Sequence, residues 1–160
     1  MGDIMKTRLL VAMTLALLIP SQISLATAMP TATSTAAQTP IAIVDSFHDA
    51  LFGGQTDAAL KLLSDDVLIY ESGRAERSKA EYASHHLKAD AEFAGATQRK
   101  LVKRASWIGT DTAWVTSETE TTGTFKGRTL ALTGTETMIL RRTAGAWKIV
   151  HIHWSSATKR

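Results

Sequence analysis

Apolar positions recur with two different periods along the chain, and the change of period sets out its elements. Ile41, Val44, Phe47 or His48, and Leu51 fall at helical spacing, and Gly53-Gly54 stops the run. A second short helix opens at Thr56 or Asp57, with Leu60 and Leu63 as its apolar stripe. Ser64-Asp65-Asp66 then leads into a strand over Val67 to Glu71. Ser72-Gly73-Arg74 is a turn or loop signal. Ser78-Lys79-Ala80-Glu81 is a capping box, which predicts a helix from Lys79 to about Ala94, ended by Gly95. On that helix Tyr82, His86, Ala89 or Asp90, and Phe93 line one side.

After Gly95 the helical period gives way to alternation. Strands are predicted over Arg99 to Ile108, Thr112 to Gly123, Thr129 to Arg142 and Trp147 to Ser156, joined by short turns as an antiparallel meander. The last strand is the most apolar of the set. Strict alternation places Trp147, Ile149, His151 and His153 on one face and Lys148, Val150, Ile152 and Trp154 on the other. Two largely apolar faces predict a central strand. Helices on one face of a curved antiparallel sheet make an α+β domain over residues 40–157.

The first residues have a different character. Lys6 and Arg8 precede the apolar run Leu9 to Ile19, then Pro20 and the small-residue site Ala26-Thr27-Ala28. This is the pattern of a secretory signal peptide over residues 1–28, cleaved near Ala28. A periplasmic or secreted location is expected, with no membrane association after cleavage. Residues 29–39, rich in Thr, Ala and Ser, read as a flexible leader. The 160-residue chain has no cysteine, which removes disulfides and thiolate chemistry. Its net charge of +3 is spread without a basic cluster, so no nucleic-acid partner is expected.

The order of elements resembles the cone-shaped fold of the nuclear transport factor 2-like superfamily. The resemblance rests on the helix ending in Gly53-Gly54, the following Asp57-x-x-x-Leu-x-x-Leu-Leu-x-x-Asp-Val, the Glu71-x-Gly73 strand end with its capped helix, and the closing Trp147-x-Ile-Val-His-x-His-x-Ser155. That ending is similar to the last strand of the calcium/calmodulin-dependent kinase II association domain and of SnoaL-like and DUF4440-type proteins. The resemblance implies a curved sheet wrapped around about three helices, with a cavity at its open end. Members include ketosteroid isomerases, dehydratases, epoxide hydrolases, polyketide cyclases and non-catalytic assembly domains. It also implies, together with the two-sided last strand, a homodimer through the outer face of the sheet.

The candidate catalytic residues are Glu71, Tyr82, His86, His151 and His153, with His85 near them, and the candidate ligand-binding residues are Trp114, Trp154 and Phe93. Three readings of the polar set are open. Glu71 or a histidine is a general base beside a Tyr82 donor, without a cofactor. Alternatively, His151 and His153 hold a metal with His86 and Glu71, although H-x-H alone is a sparse ligand pattern. Or the histidines are satisfied structurally by Glu71, Tyr82 or threonine hydroxyls. An Asp with a Tyr donor is the ketosteroid isomerase arrangement; Asp90 falls on the helix and Asp111 in a turn, and neither is matched to that enzyme's catalytic position. The leading reading is a module that binds a small, mostly apolar molecule in the cone. The alternatives are a cofactor-independent isomerase, dehydratase or hydrolase, and a pure dimerisation module.

Overall fold

The computed structural model describes residues 38–159, so the expected signal peptide and most of the expected leader lie outside the described residues. The domain opens with α1 (Pro40–Phe52) and α2 (Thr56–Leu62). Thr39 Oγ1 accepts from the Ala42 backbone N–H at 3.2 Å, and Pro40 fills the first turn, where no N–H is needed. The inward stripe of α1 is Ile43, Val44, Phe47, Ala50 and Leu51, all buried. The chain continues through β1 (Leu63–Glu71), β2 (Arg74–Glu76), α3 (Lys79–His85) and α4 (Leu87–Ala96). It closes with β3 (Thr97–Ile108), β4 (Thr112–Phe125), β5 (Arg128–Thr143) and β6 (Ala146–Thr158).

The six strands form one sheet in the order β2-β1-β6-β5-β4-β3. The meander β3 to β6 is antiparallel, and β1 joins it by pairing parallel to β6. The last strand is therefore central, between β1 and β5. Helices cover the inner face, where Val67, Ile69, Val115, Met138, Leu140, Ile149 and Ile152 pack with Phe47 and Tyr82. Each such side chain contributes about 1.5–3 kcal/mol of burial free energy.

Three local expectations change. The loop after Glu71 is a two-residue hairpin: Ser72 and Gly73 both have positive φ, and Arg74 turns back to pair with Glu71. The capped helix is two helices, interrupted at His86, where φ is −115° and the ring meets Glu76 of β2. Half of the capping box forms as expected, with Ser78 Oγ accepting from Glu81 N–H at 3.0 Å, whereas the Glu81 carboxylate accepts at 2.6 Å from the N–H of Arg77, one residue before the cap, and not from that of Ser78.

The third change carries the most weight for function. In the β5–β6 ladder Leu140 pairs with Ile149 but Ile139 pairs with His151, so Val150 is an extra residue, a β-bulge. A one-residue slip exchanges the two faces beyond it. Trp147, Ile149, Ile152 and Trp154 therefore face the helices. His151 and His153 face outward beside Leu68 and Tyr70, not alongside Trp147 and Ile149 as strict alternation has it.

Candidate functional site

The register places one polar row across the inner face of the sheet. Arg104 of β3 pairs with Ser117 of β4, Ser117 with Glu136 of β5, Glu136 with Trp154 of β6, Trp154 with Glu71 of β1, and Glu71 with Arg74 of β2. One step to one side along the strands lie Val115, Met138, Ile152 and Ile69, all core residues. One step to the other side lie Thr119, Gly134 and Ser156, which line a cavity. The row is the boundary at which the packed core stops and the hollow of the cone begins.

The hollow has two chambers. The larger, about 790 Å³, is walled by α1, α4 and the inner faces of β3 to β6, with Phe52, Phe93, Phe125 and Leu132 as its apolar surface. The smaller, about 340 Å³, lies against β1, β2 and α3 and includes Tyr82, Glu76 and His86. Glu71, Asp90 and Trp154 line both and so form the neck between them.

At the neck the fully buried Tyr82 hydroxyl donates to Asp90 Oδ2 at 2.8 Å. Burial holds the Asp90 carboxyl above its ordinary range; the Tyr82 hydrogen bond and the His86 ring pull the other way without cancelling it. Glu71 is also raised, first by its partial burial at the neck, although the residue stays substantially exposed, and then by the Asp90 charge, with His86 opposing. The Tyr82 hydroxyl is pushed far upward, by burial and then by the Asp90 charge, so it stays a donor. Beneath them the buried Glu76 carboxylate receives His86 Nδ1 on Oε1 and lies 3.3 Å from His85 Nδ1.

Across the larger chamber a second carboxylate is held differently. Glu136 Oε2 accepts from Trp154 Nε1–H at 2.8 Å and lies 2.7 Å from His48 Nε2. Arg99 Nη2 lies 3.5 Å from Oε1. Burial opposes ionisation of Glu136, but His48, the indole N–H and Arg99 prevail, and its pKa falls to about 2. Burial also lowers Arg99, partly offset by Glu136. The site therefore pairs two carboxyls that resist ionisation with one that is firmly ionised.

The predicted site residues separate accordingly. Glu71, Tyr82, His86, Phe93 and Trp154 come together around the hollow. His151 and His153 do not. The His151 ring Nδ1 lies 2.8 Å from the Leu68 carbonyl, and both imidazoles meet the Tyr70 ring edge-on. Trp114 lies on the same outer face, opposite Trp107, and both are substantially exposed. The proposed metal set of His151, His153, His86 and Glu71 is thus split between opposite sides of the sheet. A different trio, Glu76, Glu81 and His85, brings possible ligand atoms within 4.8 Å of one another. Five site residues lie outside the candidate set: Glu76, Asp90, Glu136, His48 and Arg99. Glu136 had a signal, because it is the one charge on the alternating face Leu132, Gly134, Glu136, Met138, Leu140.

Comparison with known proteins agrees with this architecture. No match is found among curated proteins. A candidate ketosteroid isomerase from Shewanella frigidimarina is 37% identical, with a TM-score of 0.69, covering 71% of this chain and 91% of that one. A candidate calcium/calmodulin-dependent protein kinase II association domain from Xanthomonas campestris is 18% identical, with a TM-score of 0.64, over 75% and 86% of the two chains. A candidate dehydratase of the NTF2-like family from Streptomyces avermitilis is 18% identical, with a TM-score of 0.60, over 72% and 91%. The SnoaL-like domain profile matches residues 41–159, the whole sheet and all four helices. The chain belongs to the SnoaL-like domain family, on an NTF2-like cone fold.

Proposed function

We propose that this domain binds a small, largely apolar molecule in the larger chamber and moves a proton on it at the neck, with no cofactor. The observation that carries the reading is the pair of carboxyls, Glu71 and Asp90, lining both chambers, each held above its ordinary range by burial. Two facing carboxyls that resist ionising together supply a protonated acid and an ionised base at one place. The Glu71 side chain makes no hydrogen bond or ion pair among the described residues, so it is the group free to exchange its proton with a ligand. Asp90, to which Tyr82 donates, is the more readily ionised of the two and is the base, while Glu71 carries the proton. The 37%-identical candidate ketosteroid isomerase favours this chemistry over bare assembly.

The test is proton exchange. In D2O, an apolar cyclic ketone incubated with the protein gains deuterium next to its carbonyl faster than in buffer. Glu71→Gln lowers that rate on the order of 10²–10⁴-fold, the usual contribution of a positioned acid or base. Binding of the ketone without exchange leaves a binding module, the simpler reading of the same cavity.

A second reading concerns assembly. The outer face carries the cross-strand row Trp107, Trp114, Ile139, His151 and Leu68, with Tyr70 beside it. Such a patch of exposed aromatic surface suits a second copy of the chain. Export is part of the proposal too, supported by the Lys6 to Ala28 pattern. N-terminal sequencing of the protein from its host then begins near Met29, and an intact Met1 defeats it.

A further inference from the structure

A set of metal-ligating side chains lies apart from the neck, where β2 meets α3. Glu81 and His85 are four positions apart on α3, so both project from one side of that helix. Glu76, the last residue of β2, comes from the neighbouring strand to meet them. One carboxylate oxygen of Glu76, one of Glu81 and a ring nitrogen of His85 all lie within 4.8 Å of one another. That spacing admits a single ion at bond lengths of about 2.0–2.2 Å to nitrogen and oxygen.

Two further observations favour a cation at this point. The Glu76 side chain is only 7% exposed, yet its ion-pair partners among the described residues are imidazoles alone, with no lysine or arginine. A buried carboxylate in such surroundings is costly. A second carboxylate, Glu81, is directed to the same place, and two like charges so close repel unless a positive charge stands between them. The ligands are also held in position. His86 Nδ1 engages Glu76 Oε1, which leaves Oε2 toward His85 Nδ1, 3.3 Å away. The Arg77 N–H holds Glu81 Oε2, while Oε1 makes no hydrogen bond among the described residues. The His85 side chain is 59% exposed, so an ion reaches the set from solvent.

We infer that Glu76, Glu81 and His85 bind one divalent first-row transition ion of the zinc class, with water completing its shell. An imidazole beside two carboxylates suits zinc or cobalt, whereas magnesium and calcium take oxygen ligands. The ion is a staple between β2 and α3 and not a participant in proton transfer, because Glu81 and His85 line neither chamber. The inference stands independently of the cavity reading.

Calorimetric titration of the untagged, chelator-stripped protein with Zn2+ tests it, with Co2+ absorbance as a second report on the ligands. The wild type takes up one ion per chain in a saturable way, and its thermal midpoint rises with Zn2+ but not with the same concentration of Mg2+. His85→Ala and Glu81→Gln each weaken binding by at least about tenfold, since even residues that only orient metal ligands are worth about 10–100-fold. Glutamine keeps an oxygen for the Arg77 N–H, so the start of α3 is preserved. A His151→Ala/His153→Ala double variant, altered on the outer face, binds as the wild type does. No saturable uptake by the wild type, undiminished affinity in either His85→Ala or Glu81→Gln, or loss of binding in the outer-face variant overturns the inference and leaves a hydrogen-bonded cluster.

Discussion

The Tyr82 hydroxyl and the Asp90 carboxylate are joined by a 2.8 Å hydrogen bond across the break between α3 and α4. The two residues sit eight positions apart on one helical side, so the bond ties the two short helices together as well as furnishing the neck with a fixed donor. Tyr82→Phe removes the donor and leaves Asp90 half-buried and unsatisfied. Chemical denaturation then gives a loss of about 1–3 kcal/mol. An unchanged midpoint would mean that the bond contributes nothing to the fold.

The neck carboxyls act against stability at neutral pH. Glu71 and Asp90 both have folded values above their unfolded ones. Groups of that kind stabilise below the unfolded value, and the benefit is withdrawn as pH rises through the raised folded value. Glu71 is substantially exposed, so Glu71→Gln raises the thermal midpoint at pH 7 only slightly, while it lowers proton exchange on the order of 10²–10⁴-fold. A variant that is less stable at pH 7 but still active contradicts the assignment.

Glu136 titrates in the opposite sense. Its folded pKa of about 2 lies below its ordinary 4.5, so its stabilisation is complete above pH 4.5 and is lost as pH falls toward 2. Acid unfolding of Glu136→Gln is correspondingly flatter across that window than acid unfolding of the wild type. Parallel curves would show that the His48 and Trp154 contacts do not hold the charge.

The outer aromatic row predicts assembly. Light scattering of the wild type at micromolar concentration gives a dimer mass, and Trp114→Glu, at a position that is 38% exposed in the single chain, gives a monomer with the same circular dichroism. A monomeric wild type refutes the dimer.

The core has a plain expectation. Phe47 is fully buried and stacks on Trp154, with ring centroids 6.3 Å apart. Phe47→Ala costs about 3–5 kcal/mol. It also loosens Trp154, so ligand affinity falls with it.

Much of this was legible from the pattern of residues. Helical spacing from Ile41 and the Ser78 capping box located helices, and the four alternating runs located the meander, because each rests on local chemistry. The parallel pairing of β1 with β6 has no local signature. The bulge at Val150 has none either, since Ile149-Val150-His151 reads as unbroken strand. That one extra residue moved His151 and His153 away from the hollow and turned Trp154 into it. Asp90 was visible on the right side of its helix, but its role depends on Tyr82, which only the folded helix pair brings to it. Glu136 stood as an isolated charge on an apolar alternation, a signal available from the strand alone.

The central claim is that the hollow beside Asp90 and Tyr82, and not the outer face, receives the ligand. Two-dimensional amide and indole NMR during titration with para-phenylbenzyl alcohol tests it most directly. The account predicts that the Trp154 indole signal and the amides of Asp90, Thr119 and Glu136 shift in a saturable way, while those of Trp107, Trp114, His151 and His153 stay in place. Saturable shifts confined to the outer-face residues, with the Trp154 indole unmoved, would contradict it.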